Sequence, residues 1–144
     1  MLPVDVPVWF QYLDTLAPKY LKLFYNVAVT SLDTQLIPGI QSIVDMWMYS
    51  ISKRIDVIAE LTKEMHIIEV TKRAGLRCIG QMVSYKRLYD LVKPFPKPGI
   101  PIVVCEYADP DVAFVCDSLD VKIVELAPRP VQQMLKDVFS QLEE

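Results

Sequence analysis

The residue pattern predicts an α/β domain with a mixed central β-sheet flanked by helices. Two observations carry that expectation. Residues 54–59 and 66–70 are two β-rich runs joined by the short polar turn Thr62-Lys63-Glu64, which is the pattern of an antiparallel hairpin. Downstream, Ile102-Val103-Val104-Cys105 is a continuous apolar run, as in strands buried on both faces. A hairpin followed by strand–helix–strand crossovers requires both antiparallel and parallel pairs in one sheet.

The elements follow in order. Residues 1–8 contain Pro3 and Pro7 and read as an extended arm. Trp9, Leu13, Leu16, Tyr20 and Leu23 recur at three and four, which predicts a helix from Val8 to about Leu23, interrupted at Pro18. Residues 25–29 alternate like a strand, and 30–40 read as a loop closed by Pro38-Gly39. Ile40, Val44, Trp47, Met48 and Ile51 give a second amphipathic helix. After the hairpin and Ala74-Gly75, a helix over 76–92 is supported by Ile79, Met82, Val83, Tyr85 and Tyr89. The proline-rich run 94–99 is a rigid connection into a strand at 100–106. Asp109 as N-cap and Pro110 in the first turn open a short helix ending near Ser118. Residues 121–126 form the last strand. Pro128 and Pro130 break the chain before a C-terminal amphipathic helix carrying Val131, Met134, Leu135, Val138, Phe139 and Leu142. No repeat or boundary divides residues 1–144, so one domain is expected.

Composition narrows the function. The chain has 144 residues, 52% hydrophobic and 23% charged, enough to bury a core without disulfides or metal. Eighteen acids against fifteen bases give a net charge of −3, unlike a protein that coats itself in nucleic acid. Cys78, Cys105 and Cys116 are odd in number and widely spaced, and read as free buried thiols. His66 is the single histidine; a histidine-based zinc site or a Ser–His–Asp hydrolase is therefore not expected. His66 itself reads as half-buried at a strand start. No apolar run is long enough for a membrane span, and the N-terminus lacks the basic region of a signal peptide. The expectation is a protein that is not secreted and has no membrane partner.

Asp56 lies mid-strand among apolar residues, and Glu69 lies near the end of the next strand. A hairpin brings them side by side. Two carboxylates in apolar strands cost free energy unless a cation or hydrogen-bond donors compensate. Mg²⁺ takes hard oxygen ligands, of which one or two are protein carboxylates. Such an ion could activate water against a phosphodiester. The alternative is a pair of buried acids satisfied by backbone amides or by Arg54 or Lys72.

Asp56, then Glu69-Val70-Thr71, then Gln81 and Tyr85 on the following helix, resemble the core of the PD-(D/E)XK nuclease-like superfamily. Met46-Trp47, Lys53-Arg54-Ile55, Arg73-Ala74-Gly75-Leu76, Leu88-Tyr89, Val103-Val104-Cys105-Glu106 and Asp109-Pro110-Asp111 extend the likeness over residues 9–126. In that string the chain resembles small stand-alone members encoded by tailed bacteriophages. The resemblance implies a restriction-endonuclease-like sheet, with Asp56 and Glu69 as catalytic and metal-binding carboxylates. It places Gln81 and Tyr85 along a nucleic-acid backbone. One position departs from the pattern. The superfamily has lysine two residues after the glutamate, and this chain has Thr71. Residues 69 and 71 share a strand face, so a neutral hydroxyl stands where a positive charge belongs. Lys72 and Arg77 are the candidate replacements. An ideal strand points Lys72 to the opposite face. Arg77 lies one helical turn before Gln81 and could stabilise charge, though it would not act as a base. Asp14 is a weak equivalent of the usual first-helix acid, and Asn26 stands where the similar phage proteins tend to carry aspartate.

The expected function is therefore a nuclease-fold protein with lapsed catalysis, acting as a structural or interaction component of a bacteriophage virion, of head–tail connector or neck type. No cofactor is expected in that case, and the partners are other protein subunits, in a homo-oligomer or among virion proteins. The alternative is a Mg²⁺-dependent DNA nuclease with a migrated basic residue. A third reading is DNA binding without cleavage through Gln81, Tyr85 and the cluster Lys72, Arg73, Arg77, Lys86 and Arg87. The expected location is the virion or the host cytoplasm. The aromatic stretch 9–25 and the C-terminal helix are the segments expected to meet other subunits.

Overall fold

In a computed structural model, residues 1–32, 39 and 41–143 are described, with the backbone alone for 47–49. The end of the expected 30–40 loop, and the Ile40, Trp47 and Met48 side chains, lie outside the described residues. Strands β1 (Lys22–Val29), β2 (Lys53–Glu60), β3 (Met65–Ala74), β4 (Gly99–Ala108) and β5 (Lys122–Glu125) form one sheet in the order β1-β2-β3-β4-β5. β1–β2 and β2–β3 are antiparallel, whereas β3–β4 and β4–β5 are parallel. The expected mixed sheet is present in a single α/β domain. Helices α1 (Val6–Thr15), α2 (Gln41–Ile51), α3 (Leu76–Val92), α4 (Pro110–Ser118) and α5 (Val131–Leu142) complete the order. Among the described residues, no helix is long and apolar enough to cross a membrane.

Strand alternation divides the interior in two. On one face Val57, Ala59, Ile68, Val70, Ile102 and Val104 pack under Val8, Trp9 and Tyr12 of α1. On the other, Ile58, Met65, Ile67, Val103 and Cys105 meet Cys78, Met82, Tyr85 and Tyr89 of α3 and Val112 and Cys116 of α4. The central strands are thus covered on both sides, which explains their near-continuous apolar runs. All three cysteines are free and buried.

The crossover from β3 to β4 is closed tightly. Lys93 ends α3 in the left-handed region at φ 49° and donates its N–H to the Tyr89 carbonyl at 2.7 Å. The Tyr89 hydroxyl donates to the Lys97 carbonyl at 2.6 Å, and Lys97 Nζ reaches Glu60 Oε1 and the Leu61 carbonyl, each at 2.9 Å. Gly99 then opens β4 where nothing larger fits. A Cβ there would lie 2.5 Å from Ile67 Cδ1 and 2.9 Å from the Tyr89 ring.

The N-terminal third differs from the sequence expectation. Residues 1–8 are not an extended arm: Pro3–Asp5 is a 3₁₀ turn that runs into α1. α1 ends at Thr15, not near Leu23. The amides of Leu16 and Ala17 both bond the Tyr12 carbonyl, at 3.0 and 2.9 Å, and Pro18 prevents continuation. Tyr20 and Leu23 pack on the same core as α1, but from the loop and from β1. Their spacing reports burial, not helix. His66 is buried, not half-buried, with Nδ1 hydrogen-bonded to the Tyr20 hydroxyl at 2.7 Å. Burial holds it below the usual histidine value.

Two glycines should respond to alanine with opposite signs. Gly99→Ala forces Ile67 and Tyr89 aside and should destabilise the protein by about 1–3 kcal/mol. Gly80 is exposed inside α3 with nothing within 4 Å of a new Cβ, so Gly80→Ala should stabilise by about 0.5–1 kcal/mol. Urea unfolding of both variants checks the pair.

Candidate functional site

The site forms where two strands part. β2 and β3 pair from Glu60–Met65 to Val57–Ile68, and beyond that point β2 follows β1 while β3 follows β4. The amides of β3 therefore lose their partners on the β2 side, and side chains replace them. Val70 N–H donates to Asp56 Oδ2 at 3.0 Å. Lys72 N–H donates to Asp5 Oδ1 at 3.0 Å, the aspartate being delivered by the 3₁₀ turn. The α-ammonium of Met1 lies 2.6 Å from Asp56 Oδ1 and 3.3 Å from Asn26 Oδ1. Asn26 sits on β1 with φ 53°, a left-handed conformation that asparagine tolerates.

Continuing the Val57–Ile68 register by one step sets Glu69 opposite Asp56. Both are buried, at 8% exposure. Glu69 Oε2 has no hydrogen-bond partner among the described residues. Burial drives the Glu69 carboxyl well above the ordinary carboxylate range; the Asp56 charge adds to this, and the Met1 ammonium opposes it. Asp5 is also raised by burial, against the pull of the Lys72 amide. The buried pair therefore favours sharing one proton over full ionisation.

A cavity of about 530 Å³ opens over these carboxylates. Arg77, Gln81 and Tyr85 line it from α3, at the one-turn spacing that puts them on one helix face. Tyr85 is pushed up to about 12, by burial first and then by the Glu69 and Asp56 charges, while a hydrogen bond from Gln81 opposes the shift. Of the residues expected from the sequence, Asp56, Glu69, Arg77, Gln81 and Tyr85 meet at this cavity. Thr71 also lines it, and its hydroxyl donates to the Arg73 carbonyl at 3.2 Å. Lys72 is exposed and outside the cavity lining, and its backbone, not its ammonium, enters the network. Asp14 is exposed on α1.

The expected basic cluster is partly neutralised. Arg73 grips Asp109 through two bonds of 2.9 Å, and Lys86 pairs with Asp90 at 2.8 Å. Asp109 does hold the N-cap position of α4, but its side chain makes no capping bond because it faces Arg73. Sequence reading missed Met1 and Asp5. Pro3 and Pro7 around Asp5 signal a first helical turn there, but not its contact with the Lys72 amide.

No protein-family model, curated protein or solved structure matches this chain. Among the described residues, no three His, Cys, Asp or Glu side chains converge as a metal-binding group. Asp56 and Glu69 offer adjacent hard oxygen donors, with the Asp5 carboxylate lining the same cavity.

Because its folded-state value is raised, Glu69 contributes stability that is complete below about 4.5 and is lost as pH rises through about 8. Glu69→Gln removes this dependence while keeping the shape. In chelator, thermal melts should show the variant gaining on the native chain between pH 5 and about 8.5. A melting difference that stays constant over that range would contradict the assignment.

Proposed function

We propose that the chain is a PD-(D/E)XK-type nuclease-like fold whose catalytic centre has lapsed. In this reading it serves as a structural, subunit-binding protein, in the bacteriophage virion setting that the sequence resemblance implies. The observation that carries the proposal is the state of the carboxylate pair beside Thr71. Asp56 is already engaged by the Val70 amide and the Met1 ammonium. Burial beside Asp56 favours a proton on the pair, and position 71 offers only a hydroxyl tied to a backbone carbonyl. Loading a divalent ion would require expelling that proton and separating the Met1–Asp56 pair. A lysine that could orient water or answer the phosphorane charge is absent from the cavity lining among the described residues.

A second reading rests on Arg77, which lines the same cavity as both carboxylates. In a Mg²⁺-dependent nuclease, Asp56 and Glu69 would hold the ion, which supplies an activated water when bound. Arg77 would then stabilise charge without serving as a base. Incubating linear and supercoiled DNA with the protein and Mg²⁺ or Mn²⁺, alongside Asp56→Ala, separates the two readings. The expected result is no metal-dependent cutting above the Asp56→Ala background. Cutting that disappears in Asp56→Ala would overturn the lapsed-catalysis reading in favour of the nuclease.

A further inference from the structure

We propose that residues 1–5 are a self-inhibiting strap, whose α-ammonium at Met1 fills the cation position of the Asp56–Glu69 pair and keeps divalent ions out. The inference rests on reading those carboxylates as a former metal centre, and it names what now occupies that centre.

The strap is fixed at both ends. At one end the Asp5 N–H closes the 3₁₀ turn on the Leu2 carbonyl at 2.9 Å, and Asp5 Oδ1 accepts the Lys72 N–H at 3.0 Å. At the other end the Met1 side chain packs against the core cluster that contains Trp9 and Val70, and only 9% of that side chain is exposed. The ammonium is thus delivered to a defined place.

That place is the one an incoming cation needs. Asp56 gives Oδ2 to the Val70 N–H at 3.0 Å, and its remaining oxygen, Oδ1, holds the ammonium at 2.6 Å. Asn26 Oδ1 lies 3.3 Å from the same nitrogen. Glu69 is only 8% exposed, and its Oε2 has no hydrogen-bond partner among the described residues. Met1, Asp5, Asn26, Asp56 and Glu69 all line one cavity. A positive group gathers oxygens here beside one oxygen still unsatisfied, as in a cation site whose ion has been replaced. Ammonium and divalent ion would meet at the same Asp56 oxygen and repel each other, so each excludes the other. The ammonium has the advantage of its tether. A tethered group acts at an effective concentration on the order of millimolar, whereas Mg²⁺ sheds its water reluctantly before taking carboxylate oxygens.

Isothermal titration calorimetry with Mn²⁺, in the absence of DNA, tests the strap. It compares the full chain bearing a free Met1 amine with the same chain enzymatically Nα-acetylated, the modification being verified by mass. Acetylation turns the nitrogen into a neutral amide that no longer competes. Mn²⁺ should bind the acetylated chain roughly tenfold tighter or more, and Asp56→Ala on the acetylated chain should abolish the gain. Asn26→Gly removes one acceptor of the ammonium while suiting the backbone at φ 53°, and should give a smaller gain in the unmodified chain. Equal Mn²⁺ affinity in the free and acetylated chains, or binding to neither, would overturn the proposal and leave the lapsed-catalysis reading standing. Should the acetylated chain fail to fold by circular dichroism, an unchanged affinity in Asn26→Gly would overturn it instead. DNA cutting that appears only after acetylation would uphold the strap and overturn the lapse of catalysis, so the two fail separately.

Discussion

The parting of β2 from β3 after Val57 and Ile68 leaves Val70 and Lys72 amides that no strand can satisfy. Buried donors left without acceptors cost on the order of 1–3 kcal/mol each. Asp56 and Asp5 answer them with carboxylate oxygens. The price is a concentration of negative charge in a poorly solvated place, which the Met1 ammonium partly offsets and which Glu69 escapes by retaining a proton. The carboxylates hold the fork together before they do anything else. The same geometry, with the proton and the ammonium removed, would present two hard ligands to a metal.

The sheet explains why the fork sits under α3. Alternation sends Glu69 and Thr71 to the face that α3 covers, and Val70 to the face that α1 covers. Lys72 follows Val70 to the opposite face from Glu69, and only its backbone enters the network. The helix that packs over Ile67 and Val103 brings Arg77, Gln81 and Tyr85 over the carboxylates. Packing and site are therefore two results of one strand register.

Much of this was legible in the residues because the signals were local. The 62–64 turn marked the hairpin, Gly75 and Pro94 bracketed α3, and Pro130 introduced α5. The juxtaposition of Asp56 with Glu69 followed from hairpin geometry alone. What could not be read depends on distant partners. Tyr20 and Leu23 mimic a helical repeat because they enter the core under α1 from other elements. His66 is buried through Tyr20, 46 residues away in the chain. Asp5 acquires its role only from a backbone amide 67 residues away, and neither proline spacing nor hydropathy points to that contact.

That separation has a consequence for how the molecule comes together. The ledge on which the 3₁₀ turn rests exists only once β3 has been laid beside its neighbours. Bringing its ends together closes a long loop, whose entropic cost rises with the logarithm of its length. The turn is held by a few polar contacts at the rim, whereas the Lys97 clamp rivets the opposite end of the sheet. Local opening concentrates where few contacts must be broken. The segment that covers the carboxylates is thus fastened to the sheet through contacts that exist only when the distant strand is in place.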